Sequence, residues 1–181
     1  QSISKTVLAG DDVTSMGIDT WGVDSGLLDK GGRLLANPTH YRDTRTDGIE
    51  EYVDKTVPLS EIYRVAGIQT MEFNTLYQLA AEKRDNPDLL AVSARLLNTP
   101  DLLNYFLTGV MANEYTIVST GALLDAKKRD YAFDLMDRLG IPKHLFGKLV
   151  QPGNCLGKLL PQITEEVGKN RIRVVNVASH D

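Results

Sequence analysis

Strand-type segments open and close this chain and a long helical stretch lies between them, and that order restricts the fold more than any other feature. Residues 16–19 and 23–28 read as strands, and Asp29-Lys30-Gly31-Gly32 is turn chemistry leading into a further strand at 33–36, which predicts a hairpin. From residue 47 to 107 the apolar spacing becomes helical. Ser60 is placed to cap a helix ending at Ala66 with Gly67 as its stop, and Phe73, Leu76, Tyr77 and Ala80 share one face of the next helix. Pro87 fits a first helical turn, and a short helix after Thr99-Pro100 breaks at Thr108-Gly109. Helical segments follow at 131–139 with Gly140 as stop, after Pro142, and at 161–167, and the apolar run 172–178 closes the series as a strand. Strands, a helical middle and a returning strand predict an α/β sheet carrying a helical insertion, with no internal repeat, low-complexity segment or linker to divide it. Both termini read as cut from a longer protein: Ile3, Val7 and Leu8 have helical spacing up to Gly10, and the chain ends on Asp181.

Composition narrows the function classes. The chain has 181 residues, a net charge of −4, and no Lys/Arg cluster, since Lys127-Lys128-Arg129 runs straight into Asp130, so nucleic acid is not the expected partner. No apolar stretch reaches the roughly 20 residues that span a bilayer, and the N-terminus lacks the layout of a signal peptide, so the expected compartment is the cytoplasm with no membrane partner. Cys155 is the single cysteine, without CxxC spacing or an adjacent His, and reads as a small buried or half-buried thiol.

Four places carry candidate chemistry. Ser179, His180 and Asp181 follow the closing strand, delivering a carboxylate just past a strand end, where α/β enzymes keep their reacting groups; a helix-capping aspartate is the other reading. In Asp19-Thr20-Trp21-Gly22-Val23-Asp24 a glycine and the only tryptophan interrupt a strand. The glycine lets backbone approach a ligand and an indole face suits the apolar face of a sugar, while a β-bulge with a core tryptophan explains the same residues. Arg42 and Arg45 flank Asp43 on a loop, either to bind an anion or, the favoured reading, to tie the loop down through internal ion pairs. Glu114-Tyr115-Thr116, running on to Ser119 and Gly121, groups hydroxyls that line a polyol pocket or cap a helix.

Taken in order, eight segments resemble the FGGY carbohydrate kinases, and within them the branch acting on L-rhamnulose. They are IDTWGVD from Ile18, LLDK from Leu27, YRDTRT from Tyr41, GIQ from Gly67, FNTLYQL from Phe73, EYT from Glu114, PGN from Pro152 and VASHD from Val177. The resemblance spans nearly the whole chain and implies an actin-like, ribonuclease-H-like ATPase domain of a sugar kinase, of which residues 1–181 form part of the N-terminal, sugar-binding domain. It implies Asp181 as the catalytic base that takes a proton from the sugar hydroxyl, and Gly22 and His180 as substrate contacts; Trp21, Asp24 and Tyr115 follow as pocket candidates by neighbourhood. The implied partners are a ketose sugar and ATP, with Mg²⁺, at sites largely outside this stretch, because no Asp-x-Gly phosphate loop precedes Gln1 and the family's nucleotide domain lies beyond the catalytic Asp. Ser25-Gly26 stands where the family pattern has bulkier apolar residues. The implied reaction of the intact protein is transfer of the γ-phosphoryl to the 1-hydroxyl of L-rhamnulose, the isolated stretch being inert. Other readings are a related kinase of L-fuculose, xylulose or a similar ketose, or a kinase-derived sugar-binding module without turnover.

Overall fold

In the computed structural model, which describes residues 4, 5, 10, 12–168 and 171–180, the two ends of the chain meet in one small sheet. Ser15–Met16 pairs in parallel with Arg173–Val175, whose other edge takes Cys155–Lys158 antiparallel. The returning strand is buried where it is apolar: Ile172 and Val174 pack with Leu159 into a local core, joined by Met16 of the opening strand and by Val13 just before it. Beyond Val175 the ladder lapses, then resumes as a parallel bridge between Thr20 and His180. The expected strand 172–178 is therefore a shorter strand followed by an isolated contact, and that contact sets the end of the chain beside Trp21 and Gly22.

The predicted hairpin is present in reduced form. Ser25–Leu28 turns back through Gly31 and Gly32, but the return is a single bridge between Leu28 and Leu34. Asp29 organises the turn by accepting the backbone N–H groups of Gly31 and Arg33. The main partner of Ser25–Leu28 is Arg95–Asn98, antiparallel, inside the stretch expected to be all helix. Leu96 and Leu97 are fully buried on opposite faces of that strand, so no period-two alternation marks it, and four residues are too few to show helical or strand spacing.

The helical middle fills the largest core, which gathers Ile49, Val53, Ile62, Leu76 and Tyr77 with Leu123, Met136 and Ile141. Gly67, Gly109 and Gly140 all sit at helix ends with positive φ, 70°, 74° and 68°, as stop residues should. Pro87–Val92 and Pro161–Val167 each begin on their proline. Two starts differ. Ser60 lies inside Leu59–Ala66, whose first N–H is accepted by the Asp54 carboxylate from the preceding helix, so no serine cap is needed. The helix expected from residue 131 begins at Phe133, because Asp130–Tyr131 is taken up in a two-stranded pairing with Leu124–Asp125. Cys155 is exposed on the edge strand of the end sheet, not buried. The helix expected around Ile3, Val7 and Leu8 falls on residues outside those described.

Candidate sugar cleft

The Thr20–His180 bridge and a backbone hydrogen bond from Thr20 N–H to the Ser179 carbonyl, 3.0 Å, bring Gly22 and His180 into contact. Together with Trp21, Val23, Tyr41, Phe73 and Thr120 they line an open cleft of about 290 Å³. Its wall is largely aromatic. His40 and Tyr41 stack with ring centres 4.4 Å apart, Tyr41 meets the edge of Phe73 at 5.6 Å, and Trp21 leans on His40 at 6.4 Å. A polyol with an apolar flank fits such a wall, since aromatic faces bury C–H surface while hydroxyls turn to polar groups at the rim.

Trp21 is half exposed, at 49%, yet its indole is held: Nε1–H donates to Asp24 Oδ2 at 2.8 Å. Asp24 itself is 3% exposed and lies behind the cleft wall, with its second carboxylate oxygen unpaired among the described residues. Gly22 is confined by protein on two sides. A Cβ there meets Thr120 Oγ1 at 2.9 Å and His180 Cδ2 at 3.2 Å, so the glycine is demanded by the packing of these two cleft residues. Thr120 in turn is fixed by donating to the Ile117 carbonyl and by the Asn74 side-chain amide on its own carbonyl. Asn74 also accepts Met71 N–H, which places Phe73 on the loop before helix Thr75–Asp85 and turns it to the cleft; the sequence reading put Phe73 on the helix face.

Beneath the strand tip lies a buried acid. Glu114 is fully buried at the N-cap of Tyr115–Ser119, where it accepts Thr116 N–H, Ile117 N–H and the Thr116 hydroxyl. The same carboxylate accepts the Ser179 hydroxyl at 2.7 Å, tying down the residue that precedes His180. Asp101, 2% exposed, accepts Glu114 N–H. Burial lifts the Asp101 carboxyl to about 8; the N–H it accepts works against this, and the nearby Glu114 carboxylate adds to it.

Of the residues singled out from sequence, the structure thus brings Trp21, Gly22 and His180 together, with Asp24 one layer behind. Tyr115 is not among the lining residues; it packs against the main core with Arg129 over its ring. Asp181 lies outside the described residues. Arg45 follows the structural reading, bound to Gln78 Oε1 at 2.5 Å with Glu82 and Asp43 nearby. Val23, Tyr41, Phe73 and Thr120 were missed as cleft residues; the first three stand in segments that carried the family resemblance, which was the available signal. Among the described residues no group of three His, Cys, Asp or Glu side chains could hold a metal ion, and the sequence has no GxxxxGK[ST] phosphate loop.

Comparison with known proteins gives the same outline. Residues 1–181 match the FGGY family of carbohydrate kinases, N-terminal domain. The chain is 42% identical over 181 residues, all of its length, to a rhamnulokinase of Yersinia pestis bv. Antiqua (strain Angola), and 41% identical over 172 residues, 95% of its length, to a rhamnulokinase of Bacteroides thetaiotaomicron. It spans about 36% of the length of each. A gluconate kinase from Lactobacillus acidophilus superposes with a TM-score of 0.88 over 96% of this chain and 36% of its own, at 17% identity, a likeness of fold. The α/β architecture is the actin-like fold of these sugar kinases.

Proposed function

This chain belongs to the FGGY family of carbohydrate kinases, and from that premise we propose that the intact protein phosphorylates L-rhamnulose at its 1-hydroxyl, residues 1–181 forming part of its sugar-binding domain. The carrying observation is identity above 40% to rhamnulokinases along essentially the whole chain. The cleft supports it, because L-rhamnulose ends in a methyl group and the wall of Trp21, Tyr41 and Phe73 offers that end an apolar surface. His180 lines the same space as a hydrogen-bonding group, Thr120 lines it with its hydroxyl held by the Ile117 carbonyl and Val23 N–H, and the unpaired Asp24 oxygen is an acceptor one layer away. Tyr115 acts from behind, through the helix that carries Thr120.

Asp181 follows His180 directly and is the proposed base. As the sugar oxygen bonds to the γ-phosphorus and the bond from that phosphorus to the bridging oxygen of ADP breaks, the hydroxyl proton passes to the Asp181 carboxylate and ADP leaves. MgATP supplies the phosphoryl group, at sites largely outside this stretch of the protein. What this chain contributes is orientation: the sugar lies against the aromatic wall with its reacting hydroxyl at the strand tip. The proposed setting is the cytoplasm; among the described residues no helix is long and apolar enough to cross a membrane.

An ADP-release assay on the full-length protein with a ketose panel tests the reading. L-rhamnulose is expected to be used with the highest kcat/KM; equal use of xylulose, fuculose and glycerol refutes the substrate assignment, and no ATP turnover with any polyol refutes the class.

A further inference from the structure

Val23 has a backbone angle of φ 67°, in the left-handed region, and it is the only β-branched residue there among those described. That region is costly for a side chain branched at Cβ. The hydrogen bond from Asp24 N–H to the Gly22 carbonyl, 2.8 Å, closes a three-residue turn about it, and with a positive central φ this is the strained hand of the γ-turn. The residue is 7% exposed and lines the cleft but belongs to none of the apolar cores, so packing of its side chain does not account for the conformation.

The surroundings do account for it. Val23 N–H donates to Thr120 Oγ1 at 3.2 Å. Its carbonyl accepts two side chains from helix Thr75–Asp85: the Thr75 hydroxyl at 2.7 Å and the Gln78 amide at 3.2 Å. Thr75 and Gln78 are 0% and 4% exposed and neither lines the cleft; the Thr75 hydroxyl is given to the turn, while the Gln78 amide divides between the turn and the Phe73 carbonyl, which it reaches at 2.7 Å, and its oxygen accepts Arg45. Strain of this kind persists only where neighbours over-determine the backbone, and it gathers at ligand sites because it fixes their shape before binding.

We propose that Thr75 and Gln78 are positioning residues that clamp Val23 in a strained turn, and that this strain pre-sets Trp21 and Gly22 for the sugar. The turn directs Asp24 back under Trp21, whose indole it holds, and it lays Gly22 against Thr120 and His180. A relaxed turn moves both cleft residues at once. The proposal rests on the sugar-kinase reading above for the identity of the ligand, though the clamp itself does not.

The test is a double-mutant cycle on the full-length protein with Thr75→Val, which is isosteric and removes the hydroxyl, and Val23→Gly, which adopts the turn without strain. Thr75→Val is expected to raise the KM for L-rhamnulose roughly tenfold, the worth of one strained backbone residue, while kcat stays within about twofold. Adding Val23→Gly is expected to bring KM back toward the parent value, a rescue that a merely structural threonine does not show. An unchanged KM in Thr75→Val, or a double variant whose losses add, overturns the proposal. Melting temperatures read the same cycle without sugar: Thr75→Val should lower the midpoint more in the Val23→Gly background than in the parent, where losing the hydroxyl also releases the strain of the valine. Equal drops overturn the clamp, whereas coupled drops in a protein with no ketose turnover refute the kinase reading and leave the clamp standing.

Discussion

Replacing Glu114 with glutamine changes no heavy-atom shape, yet it should destabilise this fold more than most single substitutions. The carboxylate is fully buried and every polar neighbour donates to it: Thr116 N–H to Oε1 at 2.8 Å, and Ile117 N–H at 3.1 Å with the Thr116 and Ser179 hydroxyls at 2.6 and 2.7 Å to Oε2. A glutamine amide has one acceptor oxygen. Placed at either carboxylate position, its NH₂ group faces a backbone N–H that cannot rotate away, Thr116 in one orientation and Ile117 in the other. One buried donor is left unpaired and the remaining bonds lose their charge, so the expected loss is about 2–4 kcal/mol. For a domain of this size each kcal/mol moves the midpoint by about 2–4 °C, so the melting temperature should fall by roughly 5–15 °C. Thr116→Val is the control. It removes the hydroxyl that donates to Glu114 and accepts Ser179 N–H but leaves the carboxylate and its backbone donors in place, and should cost less, about 1.5 kcal/mol. Thermal unfolding of the full-length variants measures both. Because Ser179 hangs on this carboxylate and its carbonyl accepts Thr20 N–H, the sugar KM should rise in Glu114→Gln as His180 loses its register with Gly22. A midpoint within roughly 2 °C of the parent, or a loss no larger than that of Thr116→Val, refutes the reasoning.

Three further outcomes follow from the same geometry. Asp101, lifted by burial to about 8 from an ordinary 3.8, keeps a proton that the unfolded chain releases, so its contribution is complete at low pH and is lost as pH rises toward 8. Asp101→Asn, which still accepts Glu114 N–H, should flatten that part of the profile in melting temperatures taken between about pH 5 and pH 8; a variant with the parental slope counts against the assignment. Asp181→Asn in the intact protein should lower kcat by on the order of 10²-fold or more with sugar affinity roughly kept, and steady-state kinetics within a few-fold of the parent reassign that residue to capping. Gly22→Val should raise the sugar KM before it changes kcat, since its Cβ displaces Thr120 and His180; a crystal structure of the variant with both side chains unmoved contradicts this.

What could be read from the sequence was what neighbouring residues decide among themselves. Helix stops at Gly67, Gly109 and Gly140, proline starts at Pro87 and Pro161, and the Asp29 turn all depend on chemistry within one or two turns of chain, and they stand where expected. So does the overall sequence of strand, helical middle and returning strand, and the family likeness that rests on short ordered motifs. Pairings across long separations were hidden. Arg95–Asn98 is a strand because Ser25–Leu28 lies beside it, and Ser60 is not a cap because Asp54 arrives first. The cleft is the clearest case: His180 reaches Gly22 only through the meeting of the chain's two ends, and Ser179 is held by Glu114, 65 residues away in sequence. Val23 looks like a strand residue by its own propensity, and three side chains from elsewhere force it into a left-handed turn. Local propensity is worth tenths of a kcal/mol to about one per residue, whereas a buried hydrogen bond left unmade costs more, so at these positions the tertiary structure prevails.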